Sequence, residues 1–340
     1  MNLGQWFGFV CSIVALFILW QIRHLLLLVF TAVVIAVALN RFVKWLSSHK
    51  FPRKLAVIFA VSSFVTFLVL FIWLVVPPFT QQLQKLLEEL PRVWVKIDAE
   101  LANLETRLPE YFPELPTRKD LIAQLPPLQS LFSSFFDIFS NSVTILLQIL
   151  LVFAIAIMML ADPQRYRKAF LSLFPSFYRR RADTILSLSE SALGSWLQGI
   201  LINCLFICLA SGIGLAILQI RLVLVHALVA GILNFIPNIG PAMSVIFPLS
   251  IAVLESPWKI AAVLIWYFII QNIETYWLSP TVMARQVSLL PAITLTAQIF
   301  FAKTFGIMGL LLALPLTVVA KTWLEEALFK DILDDWGIKK

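Results

Sequence analysis

The chain has 340 residues, of which 60% are hydrophobic and 13% are charged, and its mean hydropathy is +0.91. This composition excludes a soluble globular protein and is typical of a polytopic membrane protein. The formal net charge of +7 is concentrated in clusters beside apolar runs, which indicates membrane orientation and not nucleic-acid binding. With three Cys and three His, the sequence offers almost nothing for a metal site, and we expect neither a metal nor a cofactor.

The first segment, 1–78, predicts three membrane spans. Residues 7–20 and 25–39 form two apolar runs joined by a short link, and the lack of a cleavage-site pattern after the first run indicates a retained span. The loop 41–54 holds five Lys or Arg and no acid, which places it and the N-terminus in the cytoplasm by the positive-inside rule. The third span, 55–76, ends at a Pro-Pro pair.

The second segment, 79–138, holds six Lys or Arg, nine Asp or Glu and repeated prolines, and we expect it outside the cytoplasm. Its apolar residues alternate at spacings of four and three. They form a seam of Leu83, Leu87, Leu90, Trp94, Ile97, Leu101, Leu104 and Leu108. Pro91 lies inside the seam and predicts a kink or a new helix start. The seam indicates either packing between the protomers of a homo-oligomer or a helix that lies on the membrane surface.

The third segment, 139–195, predicts a fourth span at 140–160 and a return to the cytoplasm. Six Lys or Arg lie between Arg165 and Arg181, against three acids in 161–190. The simplest role of this basic cluster is to fix the membrane orientation, and the alternative is binding of anionic lipid headgroups.

The fourth segment, 196–322, predicts a transport core. It holds a fifth span at 196–217, a sixth span at 258–278 and two apolar blocks with a break in the middle, at 222–254 and 288–320. Each arm of a block has about 15 residues and reaches about 22 Å, which is short of a hydrocarbon core of about 30 Å. Each block is therefore either a re-entrant hairpin or a pair of short tilted spans. Two such interrupted blocks point to a transporter binding site.

The break in the first block combines prolines, a glycine and amides. Pro237 and Pro241 each remove a backbone donor and Gly240 adds torsional freedom, so we expect a turn with unpaired carbonyls. Irregular backbone at membrane depth is tolerated where it lines a wet cavity, which predicts that the turn faces a transport path. Asn234 and Asn238 are candidate solute ligands, or alternatively they cap the two arms.

The sixth span carries polar residues, which are costly inside a membrane. Tyr267, Gln271, Glu274 and Leu278 fall on one helical stripe, and Asn272 lies beside it. This stripe predicts that Glu274 faces a cavity and binds a cation or a proton. The alternative is an interfacial carboxylate that already lies in water, since Glu274 is about one turn from the end of the span.

The break in the second block lies at 303–306. Its Lys303 could pair with a carboxylate, attract an anionic solute or extend to the membrane surface. The predicted substrate path comprises Asn234, Pro237, Asn238, Gly240, Pro241, Gln271, Asn272, Glu274, Lys303 and Gly306. The sequence contains no hydrolase, zinc-protease, dinucleotide or Walker A motif, so we expect neither an enzyme nor an ATP-driven pump.

Three motifs carry a family resemblance: Asn-Phe-Ile-Pro-Asn-Ile-Gly-Pro at 234–241, Ser-Pro-Thr-Val-Met at 279–283, and Phe-Gly-Ile-Met-Gly-Leu-Leu-Leu-Ala-Leu-Pro-Leu at 305–316. In order and spacing they resemble the AI-2E family, the autoinducer-2 exporter family of bacterial membrane proteins, and the similarity covers nearly the whole chain. The resemblance implies a secondary transporter, with some members described as autoinducer-2 exporters and others as sodium/proton antiporters.

The chain also departs from that family at three positions. Leu290 stands where the family often has a titratable His, and Ala284 stands where a Gly is frequent. Lys303 occupies a position where the family commonly has a small residue. The resemblance therefore does not assign the substrate of other family members to this chain.

We therefore predict an all-α polytopic protein of the bacterial inner membrane, with about six full spans and two broken helical hairpins. Both termini are expected in the cytoplasm, including the tail 323–340. We expect a homo-oligomer that contacts the lipid bilayer and moves a small solute, a signalling molecule or an ion by alternating access. The alternative is a scaffold or a channel-like protein without coupled transport.

Overall fold

The computed structural model describes residues 14, 17–105, 142–237, 239–278, 280, 281 and 290–333. The regular elements in these ranges are helices: α1 (Arg23–Ser48), α2 (Arg53–Glu105), α3 (Ser142–Ala161), α4 (Pro163–Ser172), α5 (Arg179–Ile217), α6 (Val223–Leu233), α7 (Ile239–Ser244), α8 (Ile246–Glu255), α9 (Pro257–Ile273) and α10 (Pro291–Trp323). Helix α9 continues as a π-helix over Glu274–Leu278, and α10 continues as a π-helix over Leu324–Leu333.

Several helices in the described ranges are long and apolar enough to cross a membrane. By length and composition they are Arg23–Ser48, Arg53–Leu86, Arg179–Ile217 and Pro291–Asp331, the last of which is interrupted by a kink at Gly306. A fifth span is formed if α3 and α4 are counted together, although the two helices meet at 96°. The bend is caused by Asp162, whose carboxylate caps α4 by accepting a hydrogen bond from the Arg165 N–H, with Pro163 at the first helical position. The predicted all-α polytopic class is confirmed.

The stretch after the third predicted span differs in part from the prediction. We expected the helix to end at its Pro-Pro pair, yet α2 runs through it as one helix of 53 residues from Arg53 to Glu105. Of the two alternatives for Pro91, a new helix start is wrong, and a kink stays a prediction. A proline costs one helical hydrogen bond, and the neighbouring Leu, Glu, Gln and Lys residues are strong helix formers that hold the helix together. The boundary at residue 78 therefore remains a prediction about membrane depth and not about secondary structure.

The chain divides into two compact units, each built from separate stretches of sequence. The first comprises 1–62, 146–196 and 286–340, and the second comprises 63–145 and 197–285. The five segments predicted from composition follow a different criterion and remain predictions.

The first unit packs its apolar spans through small residues. Ala32 and Ala36 of α1 lie against Val152 and Ala156 of α3, and all four side chains are buried. Small residues let two membrane helices approach closely, which increases the van der Waals contact between them.

Two ion-pair groups at the ends of these helices join parts of the chain that the sequence places on the cytoplasmic side. Lys44 belongs to the first basic segment, which the structure places partly within α1, and its ammonium donates to the carboxylate of Glu190 at 2.9 Å. Arg181 of the second basic cluster pairs with Glu326 and with Asp331, both at 2.9 Å, in the tail after α10. These contacts fit the prediction that both basic segments and the tail share one side of the membrane.

The second unit has an apolar core that includes Leu215, Val225, Ile251 and Val263, with Leu86 of α2 packed among them. Beside this core an ion-pair group joins three elements, and its members are predicted on the outer side. Arg221 bonds Glu89 of α2 and Glu255 of α8, both at 3.0 Å. The core and these ion pairs hold α6 and α8, and therefore the first break, in place.

Candidate functional site

The first break is a tight turn between α6 and α7. Helix α6 ends at Leu233, Asn234 occupies the C-cap position, and α7 begins at Ile239. The Ile236 N–H donates to the Leu233 carbonyl at 2.9 Å, and the Gly240 N–H donates to the Ile236 carbonyl at 2.8 Å. The expectation of unpaired carbonyls is therefore wrong at Leu233 and Ile236, because the turn pairs both of them within itself.

Gly240 is required for a reason that the sequence did not reveal. It lies in helix α7, it is buried, and it has no positive φ. A Cβ built on Gly240 would collide with the carbonyl oxygen of Leu233. Residues seven apart are about 10 Å apart along a continuous helix, so this contact shows that the chain reverses sharply at the break.

Of the other residues predicted at this break, the structure describes the two prolines. Pro237 lies in the turn, and Pro241 lies in α7, where its carbonyl accepts the Ser244 hydroxyl at 2.9 Å. Both prolines are half-buried. Asn238 lies outside the described residues, so its predicted role as a solute ligand stays a prediction.

The side chain of Asn234 binds a buried carboxylate. Its Nδ2 donates to Oε1 of Glu274 at 3.0 Å, and Asn203 Nδ2 of α5 donates to the same oxygen at 3.4 Å. Gln271 Nε2 donates to the other oxygen, Oε2, at 3.1 Å. Glu274 is 8% exposed and Asn234 is 1% exposed, so the alternative of a carboxylate already in water disagrees with the structure. We call Glu274, Asn203, Asn234 and Gln271 the amide cage.

Three helices and one local distortion build the amide cage. Asn203 comes from the middle of α5, Asn234 from the end of α6, and Gln271 from the last turn of α9. The helix changes from α to π hydrogen bonding at Glu274, a feature that is frequent at functional sites. Gln271 and Glu274 are three residues apart and share one face, as the predicted stripe requires.

Two opposing effects act on the Glu274 carboxylate: burial favours its neutral form, and the amide N–H groups favour its ionised form. Hydrogen bonds from amide N–H groups to an ionised carboxylate are charge-assisted and strong. Within the part of the chain that the structure describes, no Lys, Arg or His forms an ion pair with Glu274. A buried carboxylate of this kind can be neutralised by a proton or by a bound cation.

The rest of the predicted stripe does not join the cage. Asn272 is exposed and its Nδ2 donates to the Phe268 carbonyl at 2.7 Å, so it points away from the carboxylate. Tyr267 packs at the edge of the apolar core of its unit. Asn203 is a cage member that the sequence analysis missed, and the signal that could have found it is an amide in the middle of the apolar fifth span.

The second break belongs to the other compact unit. Gly306 has φ 65° and ψ −147°, a backbone conformation that is essentially restricted to glycine. A Cβ on Gly309 would collide with the carbonyl oxygen of Phe301, eight residues earlier, so α10 also folds back on itself at the break. Lys303 is exposed, and it makes no ion pair within the described ranges, so the expected pairing with a carboxylate is not found there.

Comparison with known proteins finds a transporter family and relatives described as transport proteins. A family profile described as AI-2E family transporter matches residues 9–329. The Putative transport protein YueF of Bacillus subtilis (strain 168) is 27% identical over 254 residues, 73% of this chain and 65% of the relative. The Putative transport protein YrrI of the same organism is 30% identical over 163 residues, 48% of this chain and 46% of the relative.

A third relative shares a shorter region. The AI-2 transport protein TqsA of Escherichia coli (strain K12) is 34% identical over 113 residues, which cover 33% of each chain. The matched regions thus span about a third to two thirds of the lengths of these three relatives.

Proposed function

We propose a transport function on the premise that the chain belongs to the AI-2E transporter family. In this proposal the protein moves a small solute, a signalling molecule such as autoinducer-2, or a cation by alternating access. Glu274 is the group that binds a proton or a cation. The turn between α6 and α7 is the element that moves. The second break contributes to the substrate path as a bend at Gly306.

The observation that carries this proposal is the buried carboxylate in the amide cage. Ionisable residues in membrane spans are expensive, and they mark substrate paths, ion sites and proton relays. Glu274 is buried, lies at the end of an apolar helix and is bonded only by neutral amides among the described residues. A non-transporting scaffold would gain nothing from such a group, because an apolar side chain would be cheaper there.

The cage also supplies a route from proton binding to conformation. An ionised carboxylate accepts charge-assisted hydrogen bonds on both oxygens, whereas a protonated one accepts weaker bonds and carries an O–H that donates. Protonation of Glu274 therefore weakens the bonds from the three amides and adds a donor that none of their N–H groups can accept, which favours rearrangement of the cage. Asn234 is both a cage member and the C-cap of α6, so its rearrangement changes the geometry of the turn.

The same proposal sets the cellular context. We place the protein in a bacterial inner membrane with both termini in the cytoplasm, as a homo-oligomer that contacts lipid and a small substrate but no nucleic acid. The basic clusters support this orientation. The seam of α2 supports assembly, because an apolar stripe outside the membrane needs a partner surface.

The test is transport by purified protein in proteoliposomes, with imposed sodium and proton gradients and with autoinducer-2. We expect Glu274→Gln to fold normally and to lose gradient-driven transport, since the amide keeps the shape but cannot carry a proton. The matched control is Glu325→Gln, which changes a carboxylate that is 51% exposed and should leave transport unchanged. Transport that survives Glu274→Gln unaltered would contradict the proposal, and absence of transport in the unmodified protein would favour the scaffold.

A further inference from the structure

A polar cavity of about 410 Å³ lies in the first compact unit, between α1, α4 and α5. Its walls carry Arg41 and Lys44 from α1, Arg167 from α4, and Glu190 and Gly194 from α5. The volume falls in the range of small-molecule pockets. The residues of this cavity belong to the first unit, and those of the amide cage belong to the second.

The cations of this cavity are not fully neutralised. Glu190 accepts a hydrogen bond from Lys44 at 2.9 Å and lies 3.7 Å from Arg167, which also pairs with Asp183. Glu190 and Asp183 therefore balance the charges of Lys44 and Arg167. Arg41 forms no ion pair with any acid in the described parts of the chain. The cavity thus holds one guanidinium that is available for an anion.

The backbone of α5 leaves room for this guanidinium. Gly194 is buried, and a Cβ placed there would lie 3.3 Å from Nη1 of Arg41 and 3.6 Å from Cγ1 of Val37. The first of these distances is tighter than ordinary van der Waals contact, so a side chain at 194 would displace the Arg41 guanidinium by a few tenths of an ångström. Gly194 therefore leaves room for the guanidinium in its present position beside α5.

The surroundings of Arg41 favour a position of the cavity at the level of lipid headgroups. Phe42, the next residue, and Trp45, one turn further along α1, are 36% and 58% exposed, and their rings stack with centroids 5.8 Å apart. Aromatic side chains of this kind concentrate at membrane–water interfaces. Basic pockets between membrane helices on the cytoplasmic side bind anionic headgroups, and the side assigned here rests on the proposed orientation.

We propose that this cavity binds a phosphate group, with Arg41 as its principal partner. The guanidinium fork matches two phosphate oxygens, and the nearby Lys44 and Arg167 add positive charge. The hydroxyl of Ser191 lies on the same wall and can donate to a third oxygen. The phosphate can come from an anionic phospholipid or from a soluble phosphate, since both offer the same oxygens.

The experiment measures binding to the full-length protein in detergent, by thermal unfolding followed through tryptophan fluorescence. Phosphatidylglycerol, phosphatidylcholine and inorganic phosphate are titrated separately at constant ionic strength. We expect phosphatidylglycerol or inorganic phosphate to raise the unfolding temperature, but not phosphatidylcholine, because the negative charge of its phosphate is already balanced by its own choline cation. The more effective of the two identifies the source of the phosphate.

Two variants and one control make the test specific. Arg41→Ala should weaken the apparent affinity by about 10- to 100-fold, which corresponds to a lost charge-assisted hydrogen bond. Gly194→Leu should weaken it similarly by filling the cavity while every charge is kept. The matched control, Arg180→Ala, removes an exposed cation outside the cavity and should bind as the unmodified protein does. Equal stabilisation of all four proteins, or no stabilisation by either phosphate source, would overturn the proposal.

Discussion

The two breaks in the apolar blocks look alike in sequence but use glycine for different physical reasons. Gly240 has an ordinary helical backbone, and it is needed because a Cβ would strike the carbonyl of Leu233. A Cβ built on Gly306 would meet no atom within 4 Å, and glycine is needed there because a φ of 65° disfavours any side chain. The first break is therefore fixed by close packing of its two arms, and the second by backbone conformation.

The breaks also differ in their polar partners. The first places Asn234 against the buried carboxylate of Glu274, whereas Lys303 of the second is exposed and has no ion pair among the described residues. This difference indicates that chemistry is concentrated at the first break and that the second acts mainly as a bend. The predictions below test this comparison one break at a time.

The largest effect is expected for Gly240→Val. The new side chain would meet backbone atoms, which cannot move aside as a flexible side chain can, so the arms of the first break must separate. We expect a loss of about 3 kcal/mol or more in the free energy of unfolding, together with loss of transport. Thermal unfolding and proteoliposome transport measure both. The control Ala242→Val, at an exposed position on the same helix, should change stability little, and equal effects at both positions would refute the packing role.

The next effect is expected for Asn234→Leu, which removes one donor of the amide cage at similar volume. A hydrogen bond to a charged group contributes about 1.5–3 kcal/mol, and we expect a loss of this size and a marked fall in transport. The matched control is Asn272→Leu, which removes an exposed amide that bonds only the Phe268 carbonyl. If the two variants transport equally well, the amide cage has no part in the transport cycle.

The sequence predicted some of this site because its signals were local. The positions of both breaks followed from Pro and Gly inside apolar blocks, and Gln271 and Glu274 were placed together because residues three apart share a helix face. Asn203 was missed since its contact with Glu274 spans 71 residues of sequence. The reason for Gly240 was also missed, because a steric clash exists only once both arms are in place. At Pro91 the local rule left a kink and a new helix start open, and the continuation of helix α2 excludes only the new start.

A smaller effect is expected for Gly306→Ala. The substitution meets no neighbouring atom, so its cost is the backbone strain alone, about 1–3 kcal/mol. Gly309→Ala tests the other mechanism in the same hairpin, since its Cβ would collide with the Phe301 carbonyl. The backbone requirement at 306 can be tested separately with a D-amino acid. D-Ala introduced at 306 by semisynthesis should restore the stability lost in Gly306→Ala, because a positive φ suits D-residues. Failure of D-Ala to restore it would show that the backbone conformation is not what requires Gly306.

The smallest effect is expected for Lys303→Ala. Surface substitutions away from specific contacts usually change stability by less than about 0.5 kcal/mol, and Lys303 is exposed without an ion pair in the described parts of the chain. The matched comparison is Lys259→Ala. It removes an ammonium that donates to Glu255 at 2.6 Å and to the Gln219 carbonyl at 2.7 Å. This variant should therefore lose clearly more stability than Lys303→Ala. Transport should be unchanged by Lys303→Ala if the second break is only a bend. A fall in transport with unchanged stability would instead show that Lys303 attracts an anionic solute, and the contrast between the two breaks would have to be given up.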